Sequence, residues 1–211
     1  MDKKESSFSV IMTVYDHAHE LEEHLPAFLT QEYEPGYEVI VVDESSTDET
    51  DDVLKLQKQS YPHLYTTFLP KPNRNITRLK LALTIGVKAA KKDWVIFSDI
   101  HAAPPSSEWL KEVSEATDDT TDIILGYFRK NGIRMQSFEE VSQVSRIVRK
   151  AERRRANGKQ GRRLKVMRGK YDFIVVRREK AHDLLKYFEQ DISLLKLLGL
   201  RLLVMLQNCK A

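Results

Sequence analysis

Two aspartates in this 211-residue chain stand at the ends of apolar runs that are typical of buried strands. Asp43 ends the run EVIVVD at 38–43, and Asp99 ends the run WVIFSD at 94–99. Carboxylates in such positions can hold a divalent cation or accept hydrogen bonds from ligand hydroxyls. His101 follows Asp99 by two residues and offers an imidazole, which suits softer metals better than magnesium. The strand-end carboxylates predict a ligand site.

Apolar periodicity predicts that strands and helices alternate from residue 8 to about residue 116. The predicted strands in the first part of the chain are 8–15, 38–43, 65–69, 94–99 and 122–128. The predicted helices there are 17–30, one capped by Ser45, Ser46 or Thr47, 76–91 and 106–113. The later predicted elements are a helix at 138–156, a strand at 173–176, helices at 178–188 and 191–198, and a strand at 200–206. The alternation predicts a parallel, helix-covered sheet, and no Pro/Gly/Ser-rich linker divides the chain.

The predicted sheet gives the strand-end residues a shared position. In open α/β sheets, ligands bind beyond the carboxyl ends of the strands. Asp43 and Asp99 lie there, and Tyr15 and Asp16 end a third strand. The acidic residues after Asp43 have a local explanation, because carboxylates in the first turn of a helix complement its dipole. Asp43 itself is the last strand residue, so we predict that it contacts a ligand.

Three passages carry a resemblance to a known family: FSVIMTVYDHAHELEEHLPAFLTQ, EVIVVDESSTDET and KAAKKDWVIFSDIHAAP. In their order and spacing they resemble the family 2 glycosyltransferases of the GT-A fold. The resemblance implies a single domain over 1–211 with a Rossmann-like α/β fold, whose mostly parallel, mixed sheet carries helices on both faces. It implies a nucleotide-binding half at 1–116 and an acceptor-binding half at 117–211. It also implies an inverting enzyme that moves one sugar from a nucleotide-diphosphate sugar onto an acceptor hydroxyl.

The resemblance implies donor-binding roles for individual residues. Val14, Tyr15 and Asp16 fall where the family cradles the nucleotide base. Asp43 falls where a carboxylate contacts that base or its ribose. Arg78, ahead of the segment ALTIG, is expected to reach the diphosphate, and a UDP-sugar is the expected donor.

The resemblance also implies a metal pair and a general base. Asp99 falls at the first acid of an Asp-x-Asp motif, near the donor ribose and the metal, and His101 takes the place of the second acid. Asp99 and His101 are therefore the expected ligands of a divalent metal, Mn or Mg, although His101 leaves the need for a metal open. In the family the base is the aspartate of a Glu-Asp pair at a helix start. Gln190 and Asp191 stand in that place, so Asp191 is predicted to accept the proton of the acceptor hydroxyl.

Positive charge is concentrated in residues 146–180, called here the basic segment. Fifteen Lys and Arg residues and three Asp and Glu residues give it a charge of +12, whereas the whole chain carries +3. Arg outnumbers Lys, which favours bidentate phosphate contacts. The predicted anionic partner is the donor diphosphate, a phosphorylated acceptor lipid or a membrane surface, and a solvated helix face stays open as the alternative. Aromatic residues are not interleaved with these arginines as a stacking platform requires, so nucleic acid is not an expected partner.

The cysteine content and the hydropathy bear on the compartment. Cys209 is the single cysteine, so no disulfide framework can form within the chain and a reducing compartment is expected. No run of about 18 uncharged apolar residues predicts a membrane span, and the N-terminal FSVIMTV is typical of a strand rather than a signal peptide. We therefore expect a cytoplasmic protein, with peripheral contact at the inner face of the cell membrane as an open extension.

Other function classes find less support in the sequence. No G-x-G-x-x-G follows the first strand and no G-x-x-x-x-G-K-[ST] occurs, which argues against dinucleotide-binding dehydrogenases and P-loop enzymes. The expected role is the addition of a single sugar to a glycan or lipid-linked acceptor in cell-surface polysaccharide or glycolipid assembly. The alternative left open by His101 is a non-catalytic relative that binds sugar nucleotides or glycans through a degenerate metal site.

Overall fold

The computed structural model describes residues 6–69, 78–129, 132–138 and 172–185. These ranges contain seven strands, namely β1 (Phe8–Val14), β2 (Tyr37–Asp43), β3 (Leu64–Phe68), β4 (Trp94–Ser98), β5 (Ile123–Arg129), β6 (Gly132–Phe138) and β7 (Phe173–Arg177). They contain five helices, namely α1 (Ala18–Leu29), α2 (Thr50–Ser60), α3 (Arg78–Ala89), α4 (Trp109–Glu115) and α5 (Arg178–Leu185). The predicted alternation of strands and helices is therefore confirmed through α4. None of these helices is long and apolar enough to cross a bilayer.

All seven strands join one sheet in the order β3-β2-β1-β4-β7-β5-β6. β1 pairs in parallel with both β2 and β4, and β3 pairs in parallel with β2. β7 is inserted antiparallel between β4 and β5, and β6 runs antiparallel to β5 at the edge. The predicted α/β fold with a mostly parallel, mixed sheet is confirmed. Because α1 leads from β1 to β2, away from β4, the strand order reverses between β1 and β4.

Helices cover both faces of the sheet, and each face has its own apolar core. Side chains alternate between the two faces along a strand. Ile11 and Ile40 pack with α3 and α5 on one face, whereas Val10 and Val41 pack with α1, α2 and α4 on the other. All four side chains are fully buried. The four parallel strands thus form a rigid platform whose carboxyl edge carries the loops described below.

The sequence did not predict the strand β6. The predicted helix 138–156 is wrong at residue 138, which belongs to this strand. Phe138 ends β6, which pairs with β5 along its whole length. Gly132 begins β6 opposite Arg129 with φ 119°, a left-handed conformation that favours glycine. Ile133 and Met135 then pack against the core at a spacing of two, the period of a strand. The dipeptide Asn-Gly precedes this alternation and is a sequence signal for a hairpin, which the predicted helix did not take into account.

Other predicted elements lie partly or wholly outside the described residues. The strand predicted at 173–176 is confirmed as β7, and the helix predicted at 178–188 is confirmed as far as Leu185. The rest of the helix predicted at 138–156 lies outside, as do the helix at 191–198 and the strand at 200–206. These last elements stay predictions.

Gly86 lies on the face of α3 that packs against β1, where a side chain has no room. A Cβ atom at this position would lie 2.4 Å from Cγ2 of Ile11. At an unhindered helix position, a change from Gly to Ala stabilises a protein by up to about 1 kcal/mol. We expect Gly86→Ala to lower the free energy of unfolding by about 1–3 kcal/mol instead, because α3 must move away from the sheet.

Urea unfolding of the purified variants measures this effect. Lys88→Ala is the matched control, because Lys88 is exposed on the same helix and should change the free energy of unfolding by less than about 0.5 kcal/mol. A gain of stability in Gly86→Ala would contradict the close approach of α3 to Ile11.

Candidate functional site

The predicted strand-end residues lie side by side at one edge of the sheet. β1 ends at Val14, which pairs in register with Asp43 at the end of β2. β4 lies on the other side of β1 and ends at Ser98, so Asp99 follows at the same edge. The strand order reverses between β1 and β4, and ligands of open α/β sheets bind in the crevice at such a switch point. The structure thus brings Val14, Tyr15, Asp43 and Asp99 to the edge where a ligand is expected.

Two left-handed backbone conformations shape the loops after β1 and β2. Asp16 has φ 52° and Ser45 has φ 66°, values that non-glycine residues seldom adopt. The Asp16 carboxylate accepts hydrogen bonds from the backbone N–H and the hydroxyl of Thr47, at 2.6 and 3.3 Å. Such conformations persist only where surrounding contacts enforce them, and they cluster at functional sites. Asp16 therefore joins the two loops beside the ligand edge.

A chain of hydrogen bonds also links these loops to Asp43. The Asp16 N–H donates to Oγ of Ser46 at 3.0 Å, and the Ser46 hydroxyl donates to Oδ1 of Asp43 at 2.5 Å. The Ser46 N–H donates to the same oxygen at 2.9 Å. Within the described part of the chain, Oδ2 of Asp43 accepts no hydrogen bond. One carboxylate oxygen is thus used to hold the loops, and the other can accept a hydrogen bond from a ligand.

Asp48 caps the first turns of both α1 and α2, which corrects the predicted cap. Its Oδ2 accepts the Ala18 N–H at 2.9 Å, and its Oδ1 accepts the Thr50 N–H at 3.1 Å. Burial acts to raise the pKa of Asp48, but the hydrogen bonds from Thr50 and Ala18 outweigh it and hold the pKa below its ordinary value. The hydroxyls of Ser45, Ser46 and Thr47, which were predicted as caps of this helix, bond to groups outside it.

We expect Asp48→Ala to lower the free energy of unfolding by about 1–2 kcal/mol at pH 7, since it removes an acceptor from two helix N-termini. The folded pKa of Asp48 is lowered from 3.8. Its contribution to stability is therefore complete above that value and is lost as the pH falls through the folded pKa. Urea unfolding of the wild type and the variant measures the difference, which should shrink in acid.

Asp51→Ala is the control for this change. Asp51 lies in the first turn of α2, 71% exposed, and its carboxylate is 2.5 Å from the Lys55 ammonium. Because exposed ion pairs contribute little, Asp51→Ala should cost less than about 1 kcal/mol. Equal losses in the two variants would mean that Asp48 acts only through its charge and not as a cap.

Tyr15 follows β1, between the strands that end at Asp43 and Asp99, and Arg78 lies against Glu44, the residue after Asp43. The Tyr15 side chain is 49% exposed, so its ring is accessible to a planar ligand group. The Tyr15 N–H donates to Nδ1 of His17 at 3.2 Å. The Arg78 guanidinium donates to the backbone carbonyl of Glu44, and its Nε lies 3.7 Å from Oε2 of the same residue. These contacts hold Arg78 against the loop that follows Asp43.

Asp99 and His101 lie together, as a shared metal would require. Oδ1 of Asp99 accepts the His101 N–H at 3.1 Å and lies 3.8 Å from Nε2 of the imidazole. On the other side of the ring, Nδ1 lies 3.9 Å from Oε1 of Glu20 in α1. The His101 side chain is 46% exposed, so an ion can reach it. An imidazole between two carboxylates is a donor set that fits a divalent cation.

α1 contributes ligand-type side chains to which the sequence patterns assigned no ligand. Glu20 and His24 are four residues apart on one face of α1, and His17 is the N-cap residue that precedes the helix. The His17 ring packs edge-on against the His101 ring, with centroids 4.7 Å apart. Nδ1 of His24 lies 2.6 Å from the carbonyl oxygen of Ile100. The spacing was visible in the sequence, but only the fold shows that this face meets the loop after β4.

Asp191, the predicted general base, lies outside the described residues, and so does most of the basic segment. One arginine of the segment that the structure does describe serves the fold. Nε of Arg177 donates to the carbonyl oxygen of Thr121 at 2.9 Å, and its guanidinium lies 4.7 Å from the centre of the Trp94 ring. The Arg177 guanidinium is therefore engaged within the fold and is not part of the predicted anion-binding surface.

The chain is similar to several solved structures. The structure of S. aureus TarS 1-349 matches with a TM-score of 0.60 and 18% identity, over 92% of this chain and 54% of that one. Its complex with UDP-GlcNAc matches with a TM-score of 0.57 and 20% identity, over 92% and 52%. The mannosyltransferase PcManGT from Pyrobaculum calidifontis, solved with GDP-Man and Mn2+, is 25% identical over 58% of this chain and 37% of that one, with a TM-score of 0.48. This chain spans about half the length of the TarS chain, whose likeness concerns the fold.

The family match covers most of the chain. No curated protein matches closely enough to count as a relative. Glycosyl transferase family 2 matches residues 9–185, from β1 to the end of α5. This range holds the parallel strands and the strand-end side chains on which the resemblance rested. The chain belongs to glycosyl transferase family 2.

Proposed function

We propose that this protein transfers one sugar from a nucleotide-diphosphate sugar to an acceptor hydroxyl, with inversion at the anomeric carbon. One observation carries the proposal. Val14 at the end of β1, Asp43 at the end of β2 and Asp99 after β4 meet at the carboxyl edge of the sheet, where the strand order reverses. In open α/β sheets, nucleotides bind at this position. Family membership supports glycosyl transfer as the reaction.

In the proposed donor complex, each strand end binds a different part of the nucleotide. Tyr15 and Asp16 line the base, with the exposed Tyr15 ring against its face, whereas the Val14 side chain is buried in the core and only its backbone can lie near the base. Oδ2 of Asp43 accepts a hydrogen bond from the base or the ribose, because Oδ1 already holds Ser46. Free carboxylate oxygens beside a hydroxyl-rich ligand are strong acceptors.

The diphosphate lies on the side of Asp99 in this arrangement. Asp99 and His101 are the residues that would hold a divalent ion, Mn or Mg, and such an ion would neutralise the charge that develops on the leaving diphosphate. Arg78 would reach the diphosphate by giving up its contact with the Glu44 carbonyl. A UDP-sugar remains the expected donor.

The proposed reaction is a single displacement. The oxygen of the acceptor hydroxyl forms a bond to the anomeric carbon while the bond from that carbon to the diphosphate oxygen breaks. Attack from the face opposite the leaving group inverts the configuration. Asp191 takes the proton of the hydroxyl, and the nucleoside diphosphate leaves with the electron pair of the broken bond.

The acceptor and the compartment follow from composition rather than from the site. The basic segment carries +12, which supports a phosphorylated lipid-linked acceptor or peripheral contact with an anionic membrane. A single cysteine supports a reducing, cytoplasmic location. We therefore propose a role in cell-surface polysaccharide or glycolipid assembly at the inner face of the membrane.

A thermal-shift panel tests the donor site. UDP, GDP, CDP, dTDP and their sugars are each added with manganese, with magnesium or with a chelator, because ligands of the folded state raise its melting temperature. One nucleotide class should raise the melting temperature, and slow hydrolysis of its sugar should accompany binding. The shift should be lost in Asp43→Asn and kept in Asp51→Asn.

Each outcome of the panel has a defined meaning. A shift with hydrolysis supports the transferase. A shift without turnover under any metal supports the non-catalytic relative. No shift with any nucleotide would overturn the proposed donor site.

A further inference from the structure

We propose that His17, Glu20 and His101 form a binding site for one transition-metal dication, built from two imidazole nitrogens and one carboxylate oxygen. This site differs from the expected pair of Asp99 and His101, since His17 is the N-cap residue of α1 and Glu20 lies in its first turn. The proposed metal site concerns the protein without nucleotide, and its test does not depend on transferase activity.

The three ligand atoms already lie close together. One nitrogen of each histidine and one carboxylate oxygen of Glu20 lie within 4.8 Å of one another. Nitrogen and oxygen ligands of zinc lie about 2.0–2.2 Å from the ion, so in a tetrahedral site their atoms are roughly 3.3–3.6 Å apart. Because the His101 and Glu20 side chains are 46% and 36% exposed, small rotamer changes can bring them to such distances.

The ligands come from the start of α1 and from the loop after β4, and hydrogen bonds hold both in place. His17 is the N-cap residue of α1 and Glu20 lies in its first turn, and a ligand atom of one lies within 4.8 Å of a ligand atom of the other. His101 lies in the loop after β4, where its N–H bonds to Asp99. The neighbouring Ile100 carbonyl lies 2.6 Å from Nδ1 of His24, farther along the same face of α1. The contact between the loop and the helix fixes the distance across which the metal would bind.

The two nitrogens of the His101 ring face different carboxylates, one a proposed metal ligand and the other a group that orients the ring. Its Nδ1 faces Glu20 at 3.9 Å, and its Nε2 faces Asp99 at 3.8 Å. A metal on the Nδ1 side therefore leaves the Nε2–H directed at a carboxylate, which is the usual arrangement around metal-bound histidines. Asp99 orients the ring in this scheme and remains available to a second ligand.

The donor set determines which metal is expected. Imidazole favours zinc, copper, iron and nickel, whereas magnesium and calcium favour all-oxygen sites. Two histidines and one carboxylate match the three-ligand protein sites of zinc enzymes, which keep further positions for water or another ligand. The site should thus prefer Zn2+ to Mn2+, and Mn2+ to Mg2+.

Metal binding at His17 has a consequence for Tyr15. Nδ1 of His17 accepts the Tyr15 N–H at 3.2 Å, so that nitrogen carries no proton. An ion bound at Nδ1 would occupy the acceptor lone pair. An ion bound at Nε2 would move the ring proton to Nδ1. Either way the Tyr15 N–H loses its acceptor, so metal binding should alter the backbone environment of Tyr15.

Zinc binding to the full chain without nucleotide tests the proposal. Competition with a chromophoric zinc indicator should show one tight Zn2+ per chain, with Mg2+ failing to compete. His17→Ala, Glu20→Gln and His101→Ala should each weaken binding by at least about 10-fold, the lower bound known for loss of a mere supporting group. His19→Ala is the matched control and should leave binding unchanged, because His19 is on the same helix and 87% exposed. Circular dichroism shows that each variant is folded.

Labelling with 15N-tyrosine gives a second readout. Zn2+ should shift the Tyr15 amide resonance, which Tyr15→Phe identifies by its loss from the spectrum. An unchanged Tyr15 amide at saturating Zn2+ would overturn the role of His17. Absence of zinc binding, or binding that depends on His101 but not on His17 or Glu20, would overturn the three-ligand site.

Discussion

Asp191→Asn is expected to lower kcat for sugar transfer by about 10²- to 10⁴-fold, the range that a positioned general base contributes. The amide has nearly the shape of the carboxylate, but it cannot accept the proton of the attacking hydroxyl. The acceptor oxygen must then attack while still protonated, which raises the barrier. Initial rates of transfer over a range of donor concentrations separate kcat from the KM for the donor, and that KM should be unchanged.

The control for this variant is Glu179→Gln, which removes an exposed carboxylate from the first turn of α5. It should leave kcat unchanged. The nucleotide-induced thermal shift of Asp191→Asn should equal that of the wild type, because the proposed role of Asp191 is toward the acceptor hydroxyl and not toward the nucleotide. Full transfer activity in Asp191→Asn would show that another group accepts the proton, and a lost thermal shift would place Asp191 in the donor site instead.

Asp99→Asn is expected to reduce kcat/KM for the donor by about 10²- to 10³-fold, the effect of removing one group that stabilises developing charge. Asn keeps an oxygen that can accept the His101 N–H, so the loop after β4 should retain its shape. The negative charge beside His101 and the proposed diphosphate site is lost. Donor hydrolysis and transfer, measured with manganese present, report the change.

Asp93→Asn is a matched control for Asp99→Asn. Asp93 precedes β4, whereas Asp99 follows it, so the two carboxylates flank the same strand at opposite edges of the sheet. The Asp93 carboxylate accepts a hydrogen bond from Ser7 at 3.2 Å and should matter to stability rather than turnover. Unchanged kcat/KM in Asp99→Asn would remove Asp99 from the donor site and leave the zinc-binding test of His17, Glu20 and His101 unaffected.

The sequence by itself determined the parallel half of the fold and the candidates at its carboxyl edge. Runs such as FSVIMTV and EVIVVD predict buried strands because the burial of consecutive apolar side chains is a local property of the chain. The strand ends then followed directly, so Tyr15, Asp43 and Asp99 could be named before any contact was known. The motifs around them also sufficed to indicate the family.

Only the tertiary structure decided which distant residues meet. Asp48 lies in the acidic cluster that was predicted to complement the dipole of the next helix, yet its carboxylate bonds to Ala18 as well as to Thr50. The strand β7 pairs with β4 although the chain between them contains β5 and β6. His101 reaches Glu20 across the edge of the sheet. Side-chain periodicity records which face of an element is buried but not which element covers it, because that choice depends on sheet order and packing between segments far apart in the chain.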